Sequence, residues 1–316
     1  MSSATTTNNQ MTKPILKWAG GKRQLLDELY ARFPESYENY HEPLFGGGAL
    51  FFDMEPKDGS INDTNPRLIN FYKQVRDNPK ELIEKCRDFK DPESEPDQLR
   101  EFSDTDRNGK SVEQYYYQQR ALFNRRPYGE EYDEIEEAAL LLYLNRTCYN
   151  GLYRENKDGG FNVPIGRYSN PDWVRADEIR AASRTLQNTK ILNHDFEYIL
   201  RHAEEGDLVY LDPPYEPMSA TEYFTSYSKE GFGRKDQERM LEVAIELDEV
   251  GVYVILSNSG VMYDMYEEAG FHVEVEGATR SINSDETNRG EVDEIIATNV
   301  PHDMRRMAKQ RGLTEF

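Results

Sequence analysis

Short apolar runs that stop at polar or glycine-rich turns alternate with stretches of helical periodicity, and this alternation leaves few folds open to the chain. The stretch "RQLLDELYARF" spaces Leu25, Leu26, Leu29 and Phe33 along one helical face. "YHEPLFGGGALFF" reads as a short strand, a glycine turn and the start of a helix. "GSINDTN" gives a second strand ending in Asn62 and Asp63, and the amphipathic "PRLINFYKQVRDN" follows, with its proline suited to a first helical turn. The pattern resumes with "KILNHDF", "GDLVYLDPPY", the helix "QERMLEVAIELDEVG", the strand "VYVILSNS", the helix "MYDMYEEAG" and the strands "FHVEVEG" and "VDEIIATNV". Alternation of this kind predicts an α/β fold with a doubly wound, Rossmann-like sheet, closed by the last two strands as an antiparallel pair. Between residues 80 and 185 the sequence is charged and helix-rich, with loop-like interruptions. We expect an inserted, mostly helical domain over 80–185, a sheet domain built from 13–79 and 186–300, a disordered tail over 1–12 and a C-terminal tail over 301–316.

Composition narrows the setting. No run of about 18 apolar residues exists and the N-terminus lacks a hydrophobic signal core, so a cytoplasmic protein with no membrane partner is expected. Cys86 and Cys148 fit neither a disulfide framework nor zinc spacing, and the five histidines (His41, His194, His202, His272, His302) are scattered, so no metal is predicted. Against 38 basic residues stand 59 acids, a net charge of −21. In molar salt the Debye length falls to about 3 Å, where such a surface costs little, so the balance points to a halophile; a merely acidic mesophilic protein is the alternative. The acidity is uneven. Residues 146–184 hold seven bases, Arg146, Arg154, Lys157, Arg167, Arg175, Arg180 and Arg184, against five acids. A basic island in so acidic a chain suits a polyanionic partner, with chance clustering as the bland reading.

The chemistry-bearing residues fall at strand ends. "LKWAGGKRQ" resembles a phosphate loop only superficially, because Leu16 and Arg23 stand where that motif needs Gly and Ser or Thr. "FGGGALFF" is better placed: Phe45, Gly46 and Gly48 belong to a glycine turn that lets a ligand approach the backbone ahead of a helix N-terminus. Asp63, an acid ending the second strand, sits where such folds hold ribose hydroxyls. In "LVYLDPPYEP" two prolines stop the strand and leave Asp212 at its C-terminal edge. Alone, the tetrapeptide also reads as an ordinary strand terminator. Read with the glycine turn, Asp212, Pro213, Pro214 and Tyr215 present acceptors and a ring suited to a planar base bearing an exocyclic amine. Hydrogen bonds from that amine to Asp212 and the Pro213 carbonyl favour a pyramidal nitrogen with a free lone pair, while Tyr215 stacks on the extruded base.

"KWAGGKRQLL", "EPLFGGGALFF", "INDTNPRLINFYKQV", "YLNRTCYNGLYRENKDGGFNVPIGRY", "DFEYIL", "YLDPPY", "ILSNS" and "RSINSDETNRGEVDEII" occur in the order seen in DNA adenine-N6 methyltransferases of the Dam type, the α group. The chain resembles that family from about Lys13 to Asn299. The resemblance implies S-adenosylmethionine as cofactor, bound by Trp18, Lys22, Asp63 and Asp212, with Asp195 and Phe196 beside its adenine. The usual aromatic of the glycine-loop motif is Leu44 here, with Phe45 next to it, which puts the cofactor packing in doubt. It also implies double-stranded DNA as the partner, the insert as target-recognition domain, and GATC as the first-choice site. By the same similarity Tyr149, Asn150 and Leu152 lie at the disturbed base stack, Arg154 and Pro164 read bases, and Lys17 approaches from the sheet domain. Arg146 is grouped with these DNA contacts, and Arg280 and Arg289 flank a hairpin placed to grip phosphates. Taken alone, residues 149–151 read as a helix end and Arg154 as a solvated arginine.

The expected activity is methyl transfer to adenine N6 by base flipping and direct in-line attack. The family and the acidic balance together suggest a halophile or its virus, a nucleoid-associated location in a prokaryotic cell, and a possible restriction endonuclease partner. Two rival readings are a cytosine-N4 methyltransferase, usually marked by Ser rather than Asp before Pro-Pro-Tyr, and a DNA-binding relative without catalysis.

Overall fold

The computed structural model describes residues 12–97, 114–125, 133–215, 232–276 and 294–306. Seven strands form one sheet: β1 (Tyr40–Glu42), β2 (Gly59–Asn62), β3 (Thr189–Leu192), β4 (Leu208–Leu211), β5 (Tyr253–Ser259), β6 (His272–Glu276) and β7 (Glu294–Thr298), in the order β3-β2-β1-β4-β5-β7-β6. The first five pair in parallel, and β7 lies antiparallel between β5 and β6. Every strand expected from the sequence is present, and the closing antiparallel pair is β6 with β7. Strand order reverses at β1, which pairs with both β2 and β4. Open α/β sheets bind ligands at such a switch, beyond the C-terminal strand ends. Glu42, Asn62 and Asp212 all fall on that edge.

Strands β1, β2, β4, β5 and β7 are buried on both faces, while the edge strands β3 and β6 are partly exposed. Leu208 and Tyr210 enter one apolar core while Val209 and Leu211 enter the other, the period-two alternation of a pleated strand. Helices α1 (Leu26–Ala31), α2 (Ala49–Met54), α3 (Pro66–Asp77), α8 (Arg234–Glu249) and α9 (Tyr263–Glu268) accompany the sheet. α3 starts where expected: Pro66 occupies its first turn and the Asn65 side chain accepts from the N–H groups of Arg67 and Leu68. At the bottom of the sheet a buried chain runs from Tyr198 through Ser60 and His41 to Asp207, tying β1 and β2 to the start of β4.

The insert contributes α4 (Pro79–Arg87), α5 (Tyr115–Phe123), α6 (Glu134–Thr147) and α7 (Ala176–Leu186). α6 is capped by Asp133, whose side chain accepts from the Glu136 N–H, and residues 138–144 are buried on every side. A helix apolar all round belongs in a core. That core is shared with the sheet domain: α6 packs on α3 and α4, and Leu140, Tyr143 and Leu144 join one apolar cluster with Phe71, Tyr72 and Leu208. The insert therefore shares its core with the sheet. Thr12 is buried and bonded to Glu55, and Arg305 is buried, bridges to Pro34 and pairs with Glu274.

Candidate active site

Asp212 follows the last residue of β4, and proline at 213 and 214 prevents the strand from carrying it into the ladder. Its Oδ1 lies 3.1 Å from Lys22 Nζ. That ammonium also meets Glu294 Oε1 at 3.2 Å, donates to the Gly20 carbonyl at 3.0 Å and stands 4.5 Å above the Tyr215 ring centre. The Tyr215 hydroxyl donates to Glu294. Thus a lysine from before α1, an acid ending β4, an aromatic two prolines beyond it and an acid opening β7 converge on one point. Burial pushes the Asp212 carboxyl up to about 6; Lys22 opposes this and Glu294 adds to it. Apart from the ion pair, the buried Oδ1 has no hydrogen-bond partner among the described residues. It is an acceptor with capacity to spare.

Glu42 ends β1 beside it. Buried, and accepting from the Tyr40 hydroxyl, it is pushed up to about 8, chiefly by burial, with the Asp212 charge adding to the rise. Neither Glu42 nor Glu294 was singled out from the sequence. An acid inside the apolar "YHEPLF" was the available signal for Glu42. For Glu294 there was none, because only sheet pairing brings β7 to Lys22.

The prolines rest on a buried polar chain that sequence reasoning also missed. Gln237, in the first turns of α8, donates to the Pro214 carbonyl at 3.1 Å. Asn258 near the end of β5 donates to Gln237 Oε1 at 2.8 Å and to the Tyr266 hydroxyl at 2.7 Å. All three side chains are buried, so each bond is made in a low-dielectric interior where a lost partner costs most. The "ILSNS" motif thereby acts on the loop after Asp212 from beneath.

The glycine turn and Asp63 form the neighbouring wall. Asp63 Oδ2 accepts from the Gly46 N–H at 3.0 Å and Oδ1 from the Asn65 N–H at 2.8 Å. Each oxygen keeps room for another donor, so a vicinal diol fits. Burial raises the Asp63 carboxyl above its ordinary range, and the two N–H groups pull it back. Gly48 has φ +63° and a Cβ there would come within 2.3 Å of Phe45 Cζ. Only glycine closes this turn. Phe45 itself packs with Phe51, Phe52 and Tyr72 and is 3% exposed, so the side chain expected at the cofactor belongs to the core and shapes the loop from behind. Trp18 lies against the backbone of Gly46 and stacks on Tyr153 of the insert at 5.1 Å. It wedges between glycine turn and insert. Asn62 holds the next loop by bonding both the N–H and the carbonyl of His194, and Asn193 donates to the Asp63 carbonyl at 2.7 Å. Asp195 is accordingly near Asp63, where it caps the following 3-10 turn and pairs with Arg239 at 3.0 Å. The Phe196 ring is buried beneath Arg239 rather than open to a ligand.

The expected DNA-reading segment is not helical. After a 3-10 turn (Tyr149–Gly151), residues 148–155 run antiparallel to 161–165: the Tyr149 N–H donates to the Pro164 carbonyl at 2.9 Å and the Asn162 N–H to the Arg154 carbonyl at 3.0 Å. Tyr149 is 53% exposed and Asn150 has φ +55°. Arg154 Nε donates to Asn162 Oδ1 at 2.7 Å, and Leu152 packs partly into the core. Lys17 reaches this ribbon, its ammonium 4.4 Å above the Tyr168 ring centre. Arg146 lies apart, its Nε donating to the Asp172 carbonyl. Arg280 and Arg289 fall outside the described residues.

A family model described as D12 class N6 adenine-specific DNA methyltransferase matches residues 18–282. The type II methyltransferase M1.LlaDCHI of Lactococcus lactis subsp. cremoris is 40% identical over 291 residues, covering 91% of this chain and 95% of that protein. The type II methyltransferase M.MjaIII of Methanocaldococcus jannaschii is 37% identical, covering 86% and 93%. The DNA adenine methylase of Escherichia coli is 34% identical, covering 92% and 96%.

Proposed function

The chain belongs to the D12 class of N6 adenine-specific DNA methyltransferases, and from that premise we propose that it methylates adenine N6 in duplex DNA, at GATC, using S-adenosylmethionine. The observation that carries the reading is Asp212. A carboxylate whose buried Oδ1 has only the Lys22 ammonium against it among the described residues stands at the sheet's switch point, between a ring and a cradle suited to a nucleoside.

The residues fit that cofactor. Asp63 would accept from its ribose hydroxyls, the glycine turn would pass close to its backbone-facing side, and Lys22 would meet its carboxylate. Its sulfonium supplies an activated methyl group. The protein then has to position a nucleophile. Asp212 and the Pro213 carbonyl accept from the two N–H groups of the flipped adenine's amine, and Tyr215, pinned through its hydroxyl by Glu294, offers its ring for stacking. With the cofactor bound, these contacts would leave the N6 lone pair free to take the methyl group, the thioether departing as the leaving group. One N6 proton then leaves by way of Asp212 to solvent.

GATC is supported by Leu152, Arg154 and Pro164 on one ribbon with Lys17 beside it, since arginine can bond guanine O6 and N7 together. Kinship with two type II methyltransferases supports a partner restriction endonuclease. Incubation with labelled cofactor and plasmid, followed by nucleoside analysis, tests the activity: N6-methyladenine is expected, and N4-methylcytosine or no product overturns it. Cleavage of that plasmid by nucleases sensitive to GATC methylation tests the site.

A further inference from the structure

Asn145, near the end of α6, is 1% exposed and belongs to neither the catalytic edge nor the ribbon. Its Oδ1 accepts from the Lys17 N–H at 2.8 Å, and its Nδ2 donates to the Lys17 carbonyl at 2.7 Å and to the Gly151 carbonyl at 3.1 Å. One amide thus saturates both backbone groups of Lys17 and ties them to the turn that opens the ribbon. Beyond Lys17 the chain passes into Trp18 against the glycine turn. Beyond Gly151 it passes into Leu152, Tyr153 and Arg154. Lys17 and Gly151 touch so closely that a Cβ on Gly151 would come within 2.8 Å of Lys17 Cβ. With φ +66°, glycine is required there on both counts.

We propose that Asn145 is a positioning residue for sequence discrimination: it fixes the reading ribbon at one distance from the pocket that receives the flipped base. The inference rests on the reading of the ribbon as the DNA-contacting segment. Phosphate and base contacts discriminate only if the target adenine arrives at Asp212 while the ribbon is in register. A misplacement of about 1 Å can cost on the order of 10²-fold in such a site. The amide geometry matters because one planar group here accepts one hydrogen bond and donates two.

The test compares wild type with Asn145→Ala and Asn145→Asp on short duplexes. One duplex carries the site that wild type methylates on plasmid DNA, and the others replace single base pairs flanking its adenine. The ratio of kcat/KM between cognate and altered duplexes is the readout, with circular dichroism and cofactor Kd measured alongside. Discrimination is expected to fall about tenfold or more in both variants, with cofactor Kd changed by less than about twofold, since Asp63 and Lys22 do not touch Asn145. Asp should not rescue, because a carboxylate cannot donate to two carbonyls. A folded variant with wild-type discrimination overturns the inference and leaves Asn145 a merely structural residue. If neither variant folds, Gly151→Ala decides in the same assay: it keeps Asn145 but drives the turn away from Lys17, and unchanged discrimination again overturns the proposal. Should wild type methylate no adenine, the proposed function fails instead, before any variant is compared.

Discussion

The pocket at Asp212 and the ribbon at Arg154 are built by opposite means. Around Asp212 the side chains are buried at strand ends, and the loop is braced from below by Gln237, Asn258 and Tyr266. The ribbon sets an exposed tip at Tyr149 and Asn150 on buried Tyr153, Phe161 and Val163, follows no long strand, and is held by backbone bonds to its own return segment, by Tyr116, Arg120 and Asn124, and by the Asn145 amide. A buried, preorganised site suits chemistry whose whole demand is alignment. One with an exposed tip suits a partner that must be met, read and released. Substitutions should therefore separate the two functions.

The largest separation is expected from Asp212→Ala. Turnover should fall on the order of 10²-fold or more, while fold and DNA affinity stay near wild type. Single-turnover methylation and a gel-shift titration check this, and near-normal turnover in a folded variant would remove Asp212 from the mechanism.

Arg154→Ala should do the reverse. It should relax discrimination at one guanine by about 1 to 3 kcal/mol while the chemical step proceeds. Competition between cognate and single-substituted duplexes measures it; equal loss on all duplexes would demote Arg154 to a phosphate contact.

Acid should affect the pocket more than the ribbon. With Asp212 pushed up to about 6, kcat/KM should drop about tenfold per pH unit below that value as the acceptor becomes protonated. Glu294→Gln should move this limb to lower pH, because the Glu294 charge raises Asp212. The stability sign is opposite. Asp212 and Glu42 both have raised values in the fold, so between the ordinary carboxylate range and about 6 to 8 the folded protein binds more protons than the unfolded chain. Their contribution to stability therefore rises as pH falls through that window. Activity profiles paired with thermal melts should show activity lost at pH 5 without a loss of fold attributable to these groups; an acid limb that tracks unfolding would contradict the assignment.

Salt should give the smallest contrast. With a charge of −21, screening at about 1 M should raise the melting temperature and bring activity to its peak there, the halophile reading. KM for DNA should still climb with salt through counterion release, while KM for the cofactor stays nearly flat. Full activity in dilute buffer that declines steadily with potassium chloride would reject the adaptation.

Much of this was legible in the sequence where a residue's role depends on its immediate neighbours. The seven strands followed from apolar runs and their turns, the start of α3 from Pro66, and Asp212 from the prolines that expel it from the sheet. The ribbon over 148–165 was less legible: its residues were picked out by resemblance, and its extended form was not, because its pairing is made between short segments across a turn with little apolar alternation.

The sequence by itself determined the element types, the edge of the sheet on which Asp63 and Asp212 lie, and the acidic surface, since all of these are set by local period, turn chemistry and composition. Only the tertiary structure decided that Glu294 meets Lys22, that Gln237 holds Pro214, that Phe45 turns into the core and that Asn145 joins Lys17 to Gly151. Each of those depends on strand order or on helix packing between segments far apart in the chain. A hydrogen bond or ion pair of that kind has no sequence period, because its geometry exists only after burial has brought both partners together and removed the water that would otherwise satisfy them.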